Sequence, residues 1–157
     1  VEALAKLTES ERYPLVIIGR KTEYTNVVEE YAKKAGIHHL LVFPTDVSNV
    51  DLPGVYQGAS LFLYLSLYEG FGLQVLDALQ RGIPVLTSDR GSLSEVVGEA
   101  ALLIDPEDDV SIAQGLQELL QNADLRANLA SQGPEQAKNF TWKRTVDLFL
   151  ESLEKSL

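Results

Sequence analysis

Residues 69–82 bring together the residue types that sugar and phosphate recognition needs. Glu69 carries a carboxylate that can accept hydrogen bonds from sugar hydroxyls, and Gly70 and Gly72 lack the Cβ that would keep a ligand from the backbone. Apolar residues at Val75 to Leu79 then predict a helix, whose first N–H groups and positive dipole end favour an anion. The pattern indicates a site for a phosphate or a sugar, although many such turns bind nothing.

A strand before this turn and a helix after it must hold it in place. The apolar run Leu61–Leu65 shows no alternation, which suits a strand buried on both faces of a sheet. The helix that follows is predicted to end at Gly82. Helical spacing places four apolar residues on its inner face: Val75, Leu76, Ala78 and Leu79. The same spacing forms a polar stripe of Gln74, Asp77 and Arg81.

The same alternation of strand and helix continues along the chain. Strands are predicted at residues 13–18, 39–43, 61–65, 84–87 and 101–104, with helices between them at 23–35, from 51, after 72 and at 92–97. Further helices are predicted after residue 106, at 125–132 and at 142–157, with Gly133-Pro134 as an interruption. This order predicts an α/β fold, a doubly wound parallel sheet flanked by helices with C-terminal helices, and ligands at the carboxyl ends of the strands.

Some finer expectations concern single side chains. Ser92 and Glu95 stand at capping-box spacing, although Glu95 could instead face a ligand. Phe140 and Trp142 are expected to anchor the core rather than to stack on a ligand. The helix at 23–35 is predicted to bury Val27, Val28, Tyr31 and Ala35.

Composition limits the classes of function. The 157 residues suit one domain, and 13 basic against 23 acidic residues give a net charge of −10, which repels nucleic acid and anionic membrane surfaces. No apolar run is long enough for a transmembrane segment, and no signal peptide is visible. The absence of cysteine agrees with a reducing compartment, so a cytoplasmic location is expected. His38 and His39 have no neighbours at ligand spacing, so no metal site is expected.

Three longer motifs extend the pattern: Glu69-Gly-Phe-Gly-Leu, Asp77-Ala-Leu-x-x-Gly-x-Pro-Val, and Gly91-Ser-Leu-Ser-Glu-Val-Val-Gly. Leu52-Pro53-Gly54 precedes them, and Asp105-Pro106 and Phe140-Thr141-Trp142 follow. Together they resemble the donor-binding half of retaining GT-B glycosyltransferases of the large group 1 family, which includes many bacterial mannosyl- and glucosyltransferases. The resemblance covers nearly the whole chain and implies the Rossmann-like half of a GT-B fold.

The resemblance also implies roles for individual residues. Glu69 matches an acid that contacts hydroxyls of the donor sugar, and the segment Gly70, Phe71, Gly72 and Leu73 matches backbone N–H groups that meet the sugar and its phosphate. Asp77 matches an acid that binds the nucleotide ribose, but the family usually has Glu there. The alternative for Asp77 is an ordinary helix pair with Arg81, four residues on.

Two further loops are candidates for the nucleotide. Pro44, Thr45 and Val47 match the loop near the base, where backbone groups usually read the ring. Arg20 and Lys21 follow a predicted strand and could meet phosphates, but a basic pair in a loop is more often solvated surface.

The implied activity is transfer of a hexose, with retention, from a nucleoside diphosphate sugar to an acceptor hydroxyl. GDP-mannose is the preferred donor and UDP-glucose the alternative, with no further cofactor. The acceptor, a glycan or a lipid-linked sugar, would bind an N-terminal domain. Residues 1–157 are therefore expected to be a C-terminal nucleotide-sugar-binding domain without its first strand, and inactive alone. Two alternatives stay open: a non-catalytic nucleotide-binding or interaction module of the same fold, and a sugar-nucleotide epimerase.

Overall fold

Strands and helices alternate through residues 1–44 and 46–156, which are those that the computed structural model describes. The strands are β1 (Leu15–Val16), β2 (Leu41–Val42), β3 (Phe62–Tyr64), β4 (Val85–Ser88) and β5 (Leu102–Ile104). The helices are α1 (Glu2–Lys6), α2 (Glu23–Lys34), α3 (Leu52–Gln57), α4 (Leu73–Gln80), α5 (Ser92–Val97), α6 (Asp109–Gln121), α7 (Ala123–Ala137) and α8 (Trp142–Glu154).

Every strand pair recorded in the structure is parallel, which confirms the predicted α/β class. β1 pairs with β2, and β4 lies between β3 and β5 in a second sheet. β4 has its predicted length of four residues, whereas the other strands are shorter than predicted, and the strands form two sheets instead of one. Part of the reason is local, because His38–Leu40 close a 3₁₀ turn that replaces the first residues of the predicted second strand.

Helices cover both faces of the three-stranded sheet. Phe62 and Tyr64 of β3 pack into one core with α4, α5 and α7, whereas Leu63 packs into the other with α1 and α6. This two-sided packing confirms the doubly wound arrangement. All four residues of β4 are buried, but those of β3 are only half-buried because β3 is an edge strand of its sheet. The expectation of complete burial therefore fits the central strand better.

Helix α4 begins directly after the candidate turn at residues 69–72. Its predicted inner face is confirmed, since Val75, Ala78 and Leu79 are fully buried. Helix α7 crosses it closely at Gly133, where an added Cβ would lie 2.8 Å from the Leu79 carbonyl oxygen. The predicted interruption at Gly133-Pro134 is wrong, because α7 continues to Ala137 and its packing on α4 offsets the hydrogen bond that proline cannot donate.

Two other expectations about side chains are wrong in part. Ala32 is the buried residue of α2, and Val27 and Tyr31 are exposed, but Ala35 packs as predicted against the core that contains α1 and α6. Trp142 is 87% exposed and anchors no core, although Phe140 does pack against the core that contains α4. Among the helices of the described residues, none has the length and apolar character needed to cross a membrane.

Candidate functional site

The turn between β3 and α4 depends on the backbone of Gly72. This residue caps the N-terminus of α4 at φ 97° and ψ 50°, in the left-handed region that side chains disfavour. A Cβ at this position would lie 2.6 Å from Cδ2 of Leu93, which is fully buried. Position 72 therefore requires glycine for two reasons: the left-handed backbone conformation, and the lack of room for a Cβ beside Leu93.

Glu69 is held by hydrogen bonds from two other elements. The Tyr64 hydroxyl at the end of β3 donates to the Glu69 carboxylate oxygen Oε1 at 2.7 Å. The Ser92 hydroxyl at the start of α5 donates to the Glu69 main-chain carbonyl at 2.8 Å. Both the carboxylate and the backbone of this half-buried residue are therefore fixed at the carboxyl edge of the sheet.

The first N–H groups of α4 lie directly after this acid. Leu73 and Gln74 open the helix, where no preceding turn supplies acceptors for their N–H groups. The Phe71 ring contacts the Phe140 ring edge to face, with centroids 5.6 Å apart, which ties the turn to the segment before α8. The structure thus places the predicted residues Gly70, Phe71, Gly72 and Leu73 in one short turn beside Glu69.

Asp77 lies one turn further along α4. Its carboxylate is 3.4 Å from Nη1 of Arg81, which also donates to the Asp77 main-chain carbonyl at 2.9 Å. The Arg81 guanidinium in turn lies over the ring of Tyr56, 5.1 Å from its centroid. The ion pair of the alternative interpretation is therefore present, yet the Asp77 side chain remains about half exposed at 48% and accessible to a ligand.

The loops after β4 and β5 lie beside the turn. A Cβ on Gly91 would sit 3.7 Å from the Glu69 carbonyl oxygen, so the loop after β4 passes close to it. Arg90 in that loop binds Asp105 of the next loop at 2.9 Å. The hydrogen bond from the Glu107 N–H, and secondarily this bond from Arg90, lower the pKa of the Asp105 carboxyl. Three strand-following loops are thus linked at one edge.

The candidate residues near the nucleotide base belong to the other sheet. Val47 is half-buried in the loop after β2, and Thr45 lies outside the described residues. Lys21, after β1, places its Nζ 5.8 Å from the centroid of the Phe43 ring. This contact brings the loops after β1 and β2 together, but the phosphate role of Arg20 and Lys21 stays a prediction.

Some contributions to the site escaped the sequence analysis. The motif did not identify Tyr64, because its apolar neighbours made it resemble an ordinary strand residue. The predicted capping box at Ser92 is wrong, since Gly91 caps α5 and the Ser92 hydroxyl bonds to Glu69 instead. Within ranges 1–44 and 46–156, no group of three or more His, Cys, Asp or Glu side chains is arranged to hold a metal.

Comparison with known proteins finds glycosyltransferases both by family model and by individual relatives. The family model described as glycosyl transferases group 1 matches residues 1–136. O-antigen chain mannosyltransferase B of Escherichia coli is 38% identical in an alignment 136 residues long, which covers 84% of this chain and 35% of that protein. D-inositol 3-phosphate glycosyltransferase of Corynebacterium urealyticum is 31% identical in an alignment 158 residues long, which covers 94% of this chain and 37% of that protein. The chain spans little more than a third of these relatives.

Solved structures show the same fold. Anabaena HepE in complex with UDP-glucose superposes with a TM-score of 0.83 at 20% identity, covering 99% of this chain and 44% of that one. The C-terminal domain of a group 1 family glycosyl transferase from Francisella tularensis gives 0.77 at 24% identity, covering 88% of this chain and 74% of that one. The resemblance to GT-B glycosyltransferases that the motifs predicted is thereby confirmed.

Proposed function

This chain belongs to the group 1 glycosyl transferases, and from that premise we propose that it is the donor-binding half of a retaining hexosyltransferase. The enzyme would move a hexose from a nucleoside diphosphate sugar to an acceptor hydroxyl. Residues 1–157 would be the C-terminal domain, and an N-terminal domain would bind the acceptor, a glycan or a lipid-linked sugar. The cytoplasmic location stays a prediction.

One observation carries this proposal: a fixed carboxylate lies directly before the N-terminus of a helix at the carboxyl edge of a parallel sheet. Glu69 is restrained through both its carboxylate and its carbonyl. The N-terminus of α4, which follows it, favours the negative charge of a phosphate. A sugar joined to a diphosphate needs an acceptor for its hydroxyls next to donors for its phosphate, and this turn offers both.

The chemistry would be mainly electrostatic. As the bond from the sugar to the diphosphate breaks, negative charge grows on the departing phosphate oxygens. The N–H groups from Gly70 to Leu73 would stabilise this charge without having to reorganise. Glu69 would orient the sugar by accepting hydrogen bonds from its hydroxyls. Backbone donors of this kind require no metal ion and no further cofactor.

The donor is proposed from the relatives. Two Escherichia coli relatives are named as mannosyltransferases, and a structural neighbour contains UDP-glucose. GDP-mannose is therefore the first donor to test and UDP-glucose the second.

Calorimetric titration of the chain with GDP, GDP-mannose, UDP and UDP-glucose tests the proposal. Glu69→Ala should weaken the preferred sugar nucleotide about 10- to 100-fold, because hydrogen bonds to a charged group contribute about 1.5–3 kcal/mol. The same variant should change the affinity for the matching nucleoside diphosphate, GDP or UDP, about twofold or less. Glu99→Ala, which removes an exposed carboxylate, serves as the control. Equal weakening of both ligands would contradict the sugar contact.

A second variant separates the two interpretations of Asp77. If Asp77 binds the ribose, Asp77→Asn should weaken the nucleotide and the sugar nucleotide alike, by about tenfold or more. If its only role is the exposed pair with Arg81, binding should not change, and the free energy of unfolding should fall by no more than about 0.5 kcal/mol.

The purified chain alone is expected to transfer no sugar, since the acceptor site would lie on another domain. Detectable transfer by residues 1–157 would contradict this division of roles. Two other outcomes would favour the rival functions: nucleotide binding without turnover by the full-length protein would indicate a non-catalytic module, and conversion of the sugar nucleotide to its epimer would indicate an epimerase.

A further inference from the structure

Tyr64 contacts the candidate site and is held in place by its neighbours. Its ring stacks on Phe62, with centroids 6.1 Å apart and planes 9° from parallel, and Phe62 packs against Tyr56 at 5.4 Å. The fully buried Thr87 on the neighbouring strand β4 donates its hydroxyl to the Tyr64 carbonyl at 2.7 Å. Ring and backbone are therefore both held, which leaves the phenolic hydroxyl aimed in one direction.

That direction is the Glu69 carboxylate. The bond from the Tyr64 hydroxyl to Oε1 is 2.7 Å, a short distance typical of a charge-assisted hydrogen bond. Burial, and secondarily the bond to Glu69, raises the pKa of Tyr64 to about 12. The phenol thus remains a donor at neutral pH. A carboxylate has about four acceptor positions, so this bond leaves others for a ligand.

We propose that Tyr64 is a positioning residue for sugar recognition, which acts by holding the Glu69 carboxylate ready for the hydroxyls of the donor hexose. The inference rests on the proposed function, because it assigns a role within the same donor site. Glutamate has several rotatable bonds, and freezing them on binding reduces affinity. A carboxylate that is already fixed avoids most of that loss. Loss of the Tyr64 hydroxyl should therefore lower the affinity for the sugar nucleotide and leave the affinity for the nucleotide without its sugar unchanged.

The experiment compares Tyr64→Phe with the unaltered chain, using GDP and GDP-mannose, and UDP and UDP-glucose, as ligands. Phenylalanine keeps the ring and its stacking but removes the hydroxyl. The affinity for the preferred sugar nucleotide should fall about 3- to 10-fold, as expected for one lost positioning hydrogen bond. The affinity for the matching diphosphate should change less than about twofold. Tyr24→Phe removes the same atom from an exposed tyrosine and should change neither.

A double-mutant cycle tests whether Tyr64 acts through Glu69. In a Glu69→Ala background, adding Tyr64→Phe should have no further effect on sugar-nucleotide affinity, because the carboxylate that it positions is gone. A merely structural role would instead weaken binding by the same factor in both backgrounds.

The outcomes separate this inference from the proposed function. If the unaltered chain binds neither sugar nucleotide, the proposed function fails and this inference fails with it. If it binds one and Glu69→Ala weakens that ligand selectively, the proposed function stands. In that case, unchanged binding by Tyr64→Phe, or an equal loss for diphosphate and sugar nucleotide, would overturn the role of Tyr64 alone.

Discussion

Replacement of Gly72 by alanine should destabilise the chain strongly. At φ 97° a side chain is strained, which costs about 1–2 kcal/mol. The new Cβ would also lie 2.6 Å from Leu93 Cδ2, and Leu93 is fully buried and cannot move into solvent. Overpacking of this kind costs about 1–3 kcal/mol. The expected sum of about 2–5 kcal/mol is a large part of the stability of an ordinary domain, about 5–15 kcal/mol.

Urea unfolding followed by circular dichroism measures this change if the transition is two-state. Gly70→Ala is the matched control, because Gly70 lies two residues away, has nothing within 4 Å of its added Cβ and is not among the glycines with positive φ. It should change the free energy of unfolding by less than about 1 kcal/mol.

The two contributions at Gly72 can be separated with a second substitution. In a Leu93→Ala background the close contact is removed, so Gly72→Ala should cost only the backbone strain of about 1–2 kcal/mol. If Gly72→Ala and Gly70→Ala have the same stability within about 0.5 kcal/mol, the described conformation of the turn is wrong.

Two other predictions test the surroundings of the site. Gly133→Ala should lower the free energy of unfolding in urea by about 1–3 kcal/mol, because its Cβ would press on the backbone of Leu79. The control Gly54→Ala has open space around it and should be neutral or stabilising by up to about 1 kcal/mol. Similar values for both variants would contradict the close crossing of α4 and α7. Burial, and secondarily the bond to Glu69, should hold the pKa of Tyr64 near 12. Glu69→Gln removes the negative acceptor and should lower that pKa only in part, because the burial remains; an unchanged pKa in this variant, followed by the NMR signal of Tyr64, would refute the described hydrogen bond.

Sequence reasoning succeeded where one physical signal dominated. The inner face of α4 followed from apolar spacing, and Val75, Ala78 and Leu79 are indeed fully buried. The parallel arrangement followed from the alternation of strands and helices. The turn at Gly72 was identified by glycine positions, since a left-handed residue beside a packed side chain leaves little choice of amino acid.

Predictions from the sequence were wrong where tertiary packing outweighed a local preference. Pro134 normally ends a helix, but packing on α4 carries α7 through it. Trp142 is large and apolar, yet it lies exposed at the start of α8. The second strand is shorter than predicted because His38–Leu40 form a 3₁₀ turn, which hydrophobicity alone does not reveal.

Some contacts of the site were not predicted for a related reason, because the residues that make them are distant in sequence. Ser92 had a plausible local partner in Glu95, but its hydroxyl bonds to Glu69, 23 residues away. Tyr64 sits in an apolar run, and only the course of the turn shows that its hydroxyl meets a carboxylate. Contacts of this kind arise from the fold and not from spacing along the chain.

The most direct test of the donor site maps it residue by residue. Amide chemical shifts of the isotope-labelled chain would be followed during titration with GDP-mannose and with UDP-glucose. One of them should perturb the amides of Gly70 to Leu73 and the neighbouring amides of Gly91 and Ser92, and Glu69→Ala should weaken this response. Shifts confined to other surfaces, or no shift in this turn at millimolar concentrations of either donor, would contradict a nucleotide-sugar site at the start of α4.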